Sequence, residues 1–433
     1  MVYLDASATN PLLPEVRDAM LEVMDLSVKG ELGNPSSLHS TGSRGRDLLA
    51  AARESVAELI GASSEEILFT SGGSESNNTV LHAFAGCPLF VSAIEHPSVL
   101  EPAKLYGSPC WEIPVDRQGI INLSALETQL RRTLKHSPQE RLLVSVMAAN
   151  NETGSLQPLA ALSALLQTLR ADFPKAQLFF HTDATQAVGK IEIDAKKLGV
   201  DYLTFSSHKL GGPVGIGALY IKHDSPFRPL ILGGAQENKK RAGTSNAILA
   251  TGFATAARIA KTTPAKYQEI AELRDYLASE IKKRTKTATL VCGEECTSPR
   301  PSAGQRAEEE EALARNDGPR ELRVSESTSD RKQLVLPNIL NVSFPGAEGE
   351  STQLYLDLAG IEVSTGSACA SGDIRPSHVL MAMFGDAEVA HNSVRFSLNL
   401  KTKKQDIDYL LKTLPPIIER LQKLSTINLK ESV

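Results

Sequence analysis

Five short apolar stretches in this chain each run straight into a polar turn rich in glycine, serine or asparagine, and that pattern limits the fold more than any other feature. Ile67-Leu68-Phe69-Thr70 leads into SGGSESNN, Leu89 to Ile94 into EHPS, and Arg141 to Ala148 into ANNETG. Gln177 to Thr182 leads into DATQAVG, and Asp201 to Phe205 into SSHKLGG. Helical patterns separate them, such as the one marked by Leu159, Leu162, Leu165, Leu166 and Leu169. Short apolar strands alternating with helices specify an α/β fold with a mostly parallel sheet. In open sheets of this kind ligands bind beyond the carboxyl ends of the strands. All five turns are therefore expected on one edge, and a site is expected there.

Bulk properties narrow the class further. With 433 residues the chain exceeds one ordinary core, so two domains are expected. A net charge of −5 gives no reason to expect nucleic acid or an anionic membrane as partner. No apolar run approaches the roughly 18 residues needed to span a bilayer. The opening MVYLDASATN has neither the basic and apolar regions of a signal peptide nor an Arg-rich presequence, so the cytoplasm is the expected compartment. The five cysteines, Cys87, Cys110, Cys292, Cys296 and Cys369, do not form a disulfide framework. Cys292 and Cys296 form a lone Cys-x3-Cys without a second pair, which favours ordinary thiols over zinc.

From roughly Gly293 to Lys332 the chain turns polar and charged, with the run Glu308 to Glu311. Such a stretch cannot bury enough apolar surface to offset its ordering entropy, so it reads as a surface insertion, with partner docking as the alternative role. Ile339 to Phe344 resumes the fold as a strand. Ile407, Leu410, Leu411, Leu414, Ile417, Ile418 and Leu421 mark one helical face, and Pro415 and Pro416 within it predict two helices or one kinked helix.

Several residues in the turns could carry chemistry. Gly72, Gly73 and Ser74 open a helix and could cradle a phosphate, although a Gly-Ser loop that merely caps a helix reads the same way. Lys209 follows a buried strand; desolvation there lowers a lysine's pKa and suits it to Schiff-base chemistry, unless it faces solvent. Asp183, ending a strand, could hold a cofactor cation or cap the next helix, and Gln186 lies near it on the same face. Cys369 sits in a run of small residues, Ser364 to Gly372, unlike a structural cysteine packed among large apolar neighbours. Arg395, among apolar neighbours, needs an anion: a substrate carboxylate or a structural salt bridge.

Taken together, YLDASATNP, GNPSSLH, FTSGGSESNN, EHPSVL, NNETG, HTDATQAVGK, SSHKLGGPVGIGALY, RAGTSN, GSACASG and VRFSLN resemble, in order and spacing, the cysteine desulfurases of the pyridoxal-phosphate (PLP) fold-type I superfamily. The resemblance covers nearly the whole chain outside the insertion. It implies a large PLP-binding domain over 15–262, with a mostly parallel seven-stranded sheet sandwiched by helices. A smaller α+β domain would comprise 1–14 and 263–433 and carry the catalytic cysteine, with the polar insertion at about 293–332.

The resemblance also implies residue roles. Lys209 would bond PLP, Asp183 would keep the pyridine nitrogen protonated, and His96 would stack on the ring and move protons. Gln186 and Asn151 would lie beside the ring hydroxyl and the substrate. Gly73, Ser74, Ser206 and His208 would hold the phosphate, and Thr244 would reach the phosphate of the partner subunit in a homodimer. Arg395, with Asn34, would grip the carboxylate of L-cysteine. Cys369 would take the sulfur as a persulfide and pass it to an acceptor protein, for iron–sulfur cluster assembly or another thio-cofactor. The chain departs from the family pattern in DASATN, in Ser207 before His-Lys, and in the acidic insertion. A selenocysteine lyase is the nearest alternative and a non-enzymatic PLP-fold scaffold a remote one; GSACASG and the intact Lys209, Asp183, His96, Cys369 and Arg395 favour the desulfurase.

Overall fold

The strands specified by the apolar runs are all present in the computed structural model, which describes residues 1–139, 141–292, 335–366 and 376–431. In chain order they are β1 (Val2–Tyr3), β2 (Ile67–Thr70), β3 (Leu89–Ser92), β4 (Cys110–Ile113), β5 (Arg141–Ser145), β6 (Gln177–Asp183), β7 (Tyr202–Ser206), β8 (Gly217–Ile221), β9 (Thr289–Leu290), β10 (Ile339–Ser343), β11 (Ile361–Glu362) and β12 (Ser393–Ser397). Among the described residues, seven of them make one sheet in the order β2-β8-β7-β6-β5-β3-β4. β7, β6, β5, β3 and β4 are mutually parallel, and β8 runs antiparallel to both β7 and β2. β2 therefore points the same way as β7, and the five polar turns leave from one edge.

Strand alternation divides the apolar side chains between two faces. Phe90, Leu142, Val144, Leu203 and Phe205 join Leu49, Val56 and Phe253 in one core. Leu89, Val91, Leu143, Tyr202 and Leu219 pack on the other side with Val80, Leu81, Val99 and Leu100. Each such side chain contributes about 1.5–3 kcal/mol on burial. Gly217, opposite Thr70 in the β2–β8 pairing, has no room for a side chain: a Cβ there would lie 2.7 Å from Gly72 Cα. This close approach seats the turn after β2 against the sheet, level with Ser206 at the end of β7.

A further core lies around two small sheets, the antiparallel β12-β10-β9 and the parallel pair β1-β11. Val2 and Leu4 from the N-terminus pack there with Leu277, Ile281, Val342, Phe344, Val394, Phe396, Leu410 and Leu414. The helical face near the C-terminus belongs to one helix, Lys404–Glu431, which runs through both prolines, so of the two arrangements expected there the pair of separate helices is excluded. Pro415 has no N–H for the carbonyl of Leu411. The guanidinium of Arg284 donates to that carbonyl instead, at 3.2 Å. Burial of Leu410, Leu411, Leu414 and Ile418 against the core then outweighs the lost helical bonds.

No helix among the described residues is long and apolar enough to cross a membrane. No group of three or more His, Cys, Asp or Glu among them is arranged to hold a metal ion. The polar stretch at 293–332, with Cys296, and the segment bearing Cys369 lie outside the described residues.

Candidate active site

The carboxyl ends of β2, β3, β5, β6 and β7 deliver the site. Asp183, the last residue of β6, is buried, and its two oxygens are both engaged. Oδ2 accepts from Asn77 Nδ2 at 2.7 Å, and Oδ1 accepts from the backbone N–H of Thr185 at 2.9 Å. The second bond shapes the local turn and holds the carboxylate in place; no helix follows directly for it to cap, the next being Ala195–Leu198 with Asp194 at its N-cap. Asn77 lies one helical turn beyond Gly73 in the helix Gly73–Ala83, and its Nδ2 also reaches Ser98 Oγ at 2.9 Å. The turns after β2, β3 and β6 are thereby tied together.

His96 caps the helix Pro97–Tyr106. Its Nδ1 accepts from the backbone N–H of Ser98 at 3.1 Å, which places the ring proton on Nε2. The ring is open to a groove of about 600 Å³ that it lines with Ser74, Asn78 and Pro97. The protein mass beneath still holds its pKa below the usual imidazole value; nearby Asp183 opposes that shift and Lys209 adds to it.

Lys209 stands in a short turn, Ser207–Leu210, directly after β7. Its Nζ donates to the carbonyls of Ser7 and Ala8 at 2.5 and 2.6 Å. Burial, with Arg395 nearby, pulls its pKa down to about 8, against the opposing pull of Asp5 and Asp183. Gln186 Nε2 donates to the same Ser7 carbonyl at 2.9 Å. Burial and the neighbouring Lys209 and Lys190 lower His208 to about 4, and its Nδ1 lies 3.1 Å from Thr9 Oγ1.

The amino end of the helix Gly73–Ala83 supplies unpaired backbone N–H groups beside Ser74. A Cβ on Gly73 would lie 3.2 Å from Thr185 Oγ1, a buried hydroxyl that has no hydrogen-bond partner. This end of the site offers hydrogen-bond donors without acceptors of their own, next to the buried Ser206 and to His208 and Lys209. Donors for a phosphate, a buried carboxylate for a ring nitrogen, an open imidazole face and a desolvated amine fit pyridoxal phosphate.

Arg395 arrives from the other core on β12. Its Nη1 donates to the carbonyl of Asn151 at 2.9 Å and its Nη2 pairs with Asp5 Oδ1 at 2.8 Å, while its buried Nε has no partner. The anion that sequence reasoning demanded is thus supplied by Asp5, with one donor left over. Asn151 follows Asn150, whose Oδ1 accepts from Glu152 N and Thr153 N and so shapes the turn that presents Asn151. Asn34 lies in the loop before the helix Ser40–Leu59, where its Oδ1 accepts from Ser36 N; none of its hydrogen bonds reaches the other site residues. Thr244 is exposed on a loop whose Arg241 forms a two-pronged pair with Glu75 at the start of the helix Gly73–Ala83. Asn77, Asp5 and Glu152 lay within quoted motifs, SGGSESNN, YLDASATN and NNETG, but no chemistry was read from them. For Asn77 and Glu152 the signal was a polar residue one turn or one place from an assigned one; Asp5 has no assigned residue near it in the chain.

Known proteins share the sequence and the fold over nearly the whole chain. The aminotransferase class-V family matches over residues 2–301 and 305–410. The cysteine desulfurase IscS of Dictyoglomus turgidum is 41% identical over 98% of this chain and 96% of that protein. The cysteine desulfurase NifS of Azotobacter vinelandii is 36% identical over 98% of this chain and 94% of that protein. Among solved structures, a NifS-like protein superposes with a TM-score of 0.77 at 31% identity, covering 96% of this chain and 99% of that one. With the strand-end lysine, the buried aspartate and the open histidine all on one sheet edge, the chain belongs to the aminotransferase class-V family, among its pyridoxal-phosphate-dependent cysteine desulfurases.

Proposed function

We propose that this enzyme converts L-cysteine to L-alanine and keeps the sulfur as a persulfide on Cys369. The observation that carries the reading is the convergence of Lys209, Asp183 and His96 on one edge, with Arg395 entering from the second core. Bound pyridoxal phosphate supplies an electron sink for charge released at the substrate's α-carbon. Lys209 would hold the cofactor, and its desolvated Nζ would take the substrate's α-proton. Asp183 keeps a proton on the pyridine nitrogen, its orientation locked by Asn77 and Thr185. His96 would stack on the cofactor ring and move protons through Nε2.

Gly73, Ser74, Ser206 and His208 bind the phosphate, and Gln186 and Asn151 lie beside the ring hydroxyl and the substrate. Arg395, with Asn34, grips the substrate carboxylate, which would draw on the free Nε and compete with Asp5 for the fork. Cys369 as thiolate attacks the substrate sulfur: an S–S bond forms, the carbon–sulfur bond breaks, and the carbon takes the electron pair and then a proton. One cysteine and one thiol become one alanine and one persulfide.

The exposed Thr244, on a loop beside the exposed Leu232, supports a homodimer in which each subunit completes the other's phosphate site. The separate apolar cores support a division into 15–262 and 1–14 with 263–433. An iron–sulfur scaffold or a thiolation carrier in the cytoplasm is the proposed acceptor.

The test is direct. Purified enzyme is expected to show the cofactor's visible band and to release alanine and sulfide in equal amounts from L-cysteine with a thiol reductant present. A protein that binds the cofactor but gives a keto acid and no sulfide would overturn the reading. Asp183→Asn is expected to retain the cofactor about 10- to 100-fold less tightly, the worth of one hydrogen bond to a charged group. Loss of the visible band on dialysis measures it.

A further inference from the structure

Glu152 is a buried carboxylate to which the mechanism above gives no part. It projects from the turn after β5, one residue beyond Asn151, and is 5% exposed. Its backbone is fixed on both sides: its N–H donates to Asn150 Oδ1, and its carbonyl accepts from Asn341 Nδ2 at 3.1 Å on β10. Its side chain reaches the ends of the segment that carries Cys369. Ser377 Oγ, just after that segment, donates to Glu152 Oε2 at 2.5 Å. Gly366, just before it, lies so close that a Cβ there would run into the same oxygen and stand 3.2 Å from Ser377 Cβ. One carboxylate oxygen is thus bonded to Ser377 and packs against Gly366 with no room for a side chain there.

The surroundings do not explain a charge at this depth. Arg395 is the nearby cation, but its own fork is spent on Asp5 and on the carbonyl of Asn151. Burial lifts the Glu152 carboxyl to about 7, with the Ser377 bond and Arg395 pulling the other way. A residue with only a packing role would be better served by an apolar side chain of similar volume, since burying a carboxyl costs free energy unless its bonds are specific. The bonds here are specific to the ends of one loop. Asn151 and Glu152 are consecutive, so the turn that faces the substrate also grips the base of the sulfur-accepting loop.

We infer that Glu152 is a positioning residue for sulfur transfer: by bonding Ser377 and packing against Gly366 it fixes the two points between which the segment bearing Cys369 runs, relative to Asn151 and Arg395. The inference rests on the desulfurase reading and adds to it a requirement for loop geometry. A loop with a fixed base searches far fewer conformations than one with free ends, and misplacing a reacting group by about 1 Å can cost on the order of 100-fold in rate.

The experiment uses the full-length holoenzyme and separates cysteine binding from sulfur transfer. Glu152→Ala is expected to keep the cofactor's visible band and its shift on adding L-cysteine, with half-saturation near the wild-type value. Single-turnover formation of the Cys369 persulfide, followed by mass spectrometry, is expected to slow about 10- to 100-fold. Glu152→Gln, which still accepts from Ser377, is expected to recover most of the rate. Gly366→Ala, which pushes the carboxylate away without removing it, is expected to reproduce the slow persulfide step, and it serves as the independent variant if Glu152→Ala does not fold. Wild-type persulfide rates in both Glu152→Ala and Gly366→Ala would overturn the inference, as would an equal loss of cofactor retention, cysteine binding and persulfide formation. A wild type that binds cysteine yet forms neither persulfide nor alanine would instead sink the desulfurase reading, and this inference with it.

Discussion

Lys209→Ala is expected to lower alanine release from L-cysteine by roughly 10³-fold or more, the scale of losing a positioned proton-transfer group. The variant removes both the covalent anchor and the base, so no other side chain restores the rate. Lys190, the next lysine in the neighbourhood, is buried, and its Nζ donates to the carbonyl of Gln186 at 2.7 Å. The pKa of Lys209 sharpens the prediction. A free lysine loses its proton near 10.4, whereas burial beside Arg395 brings Lys209 to about 8. Only the neutral amine can bond the cofactor. Reloading of cofactor-free wild-type enzyme is therefore expected to speed up as pH rises through about 8 and to level off above it, rather than climbing toward 10. A loading rate still rising steeply at pH 10 would show that the amine is not desolvated as described. Full activity in Lys209→Ala would remove the lysine from the chemistry altogether.

Cys369→Ala should separate two stages that Lys209→Ala loses together. The residues proposed to bind cofactor and substrate, Asp183, His96, Gln186 and Arg395, are untouched by it. The visible band and its response to L-cysteine should persist. Release of alanine and sulfide should fall by about 100-fold or more, because the thiolate that accepts the sulfur is the group removed. Selenocysteine should be affected much less, since selenium leaves carbon more readily and needs less help. Equal activity of mutant and wild type on cysteine would refute persulfide formation on Cys369. Equal losses on cysteine and selenocysteine would instead mean that the residue supports the fold of its loop.

The sheet was legible because strands buried on both faces read as unbroken apolar runs, and β3, β5 and β7 are such strands. The two strands outside that pattern were harder. β4, with Trp111 and Glu112 exposed, is an edge strand, and β8 begins inside a glycine-rich turn. Pro415 and Pro416 left two helices or one kinked helix open for a physical reason: local chemistry weakens a helix there, and it is Arg284, distant in sequence, that takes up the freed carbonyl. Within the site, Lys209 and Asp183 could be found because each lies at or just after the end of a strand, whereas His96 came only with the family resemblance. The pairing of Asp5 with Arg395 and the grip of Glu152 on Ser377 could not, since both join residues hundreds of places apart.

The Asp5–Arg395 pair, which spans 390 positions, also bears on when the enzyme comes into being. During synthesis the N-terminal segment emerges first, yet β12 is among the last elements to leave the ribosome. Until then Asp5 has no arginine, the Ser7 N–H cannot donate to Ser397 Oγ, its acceptor at 2.9 Å in the folded protein, and the loop above Lys209 is unanchored. Long-range closures of this kind are slow and come late. The nascent chain can complete its large sheet early while remaining chemically silent, and a free reactive lysine meets substrate only when the last strand has locked the first.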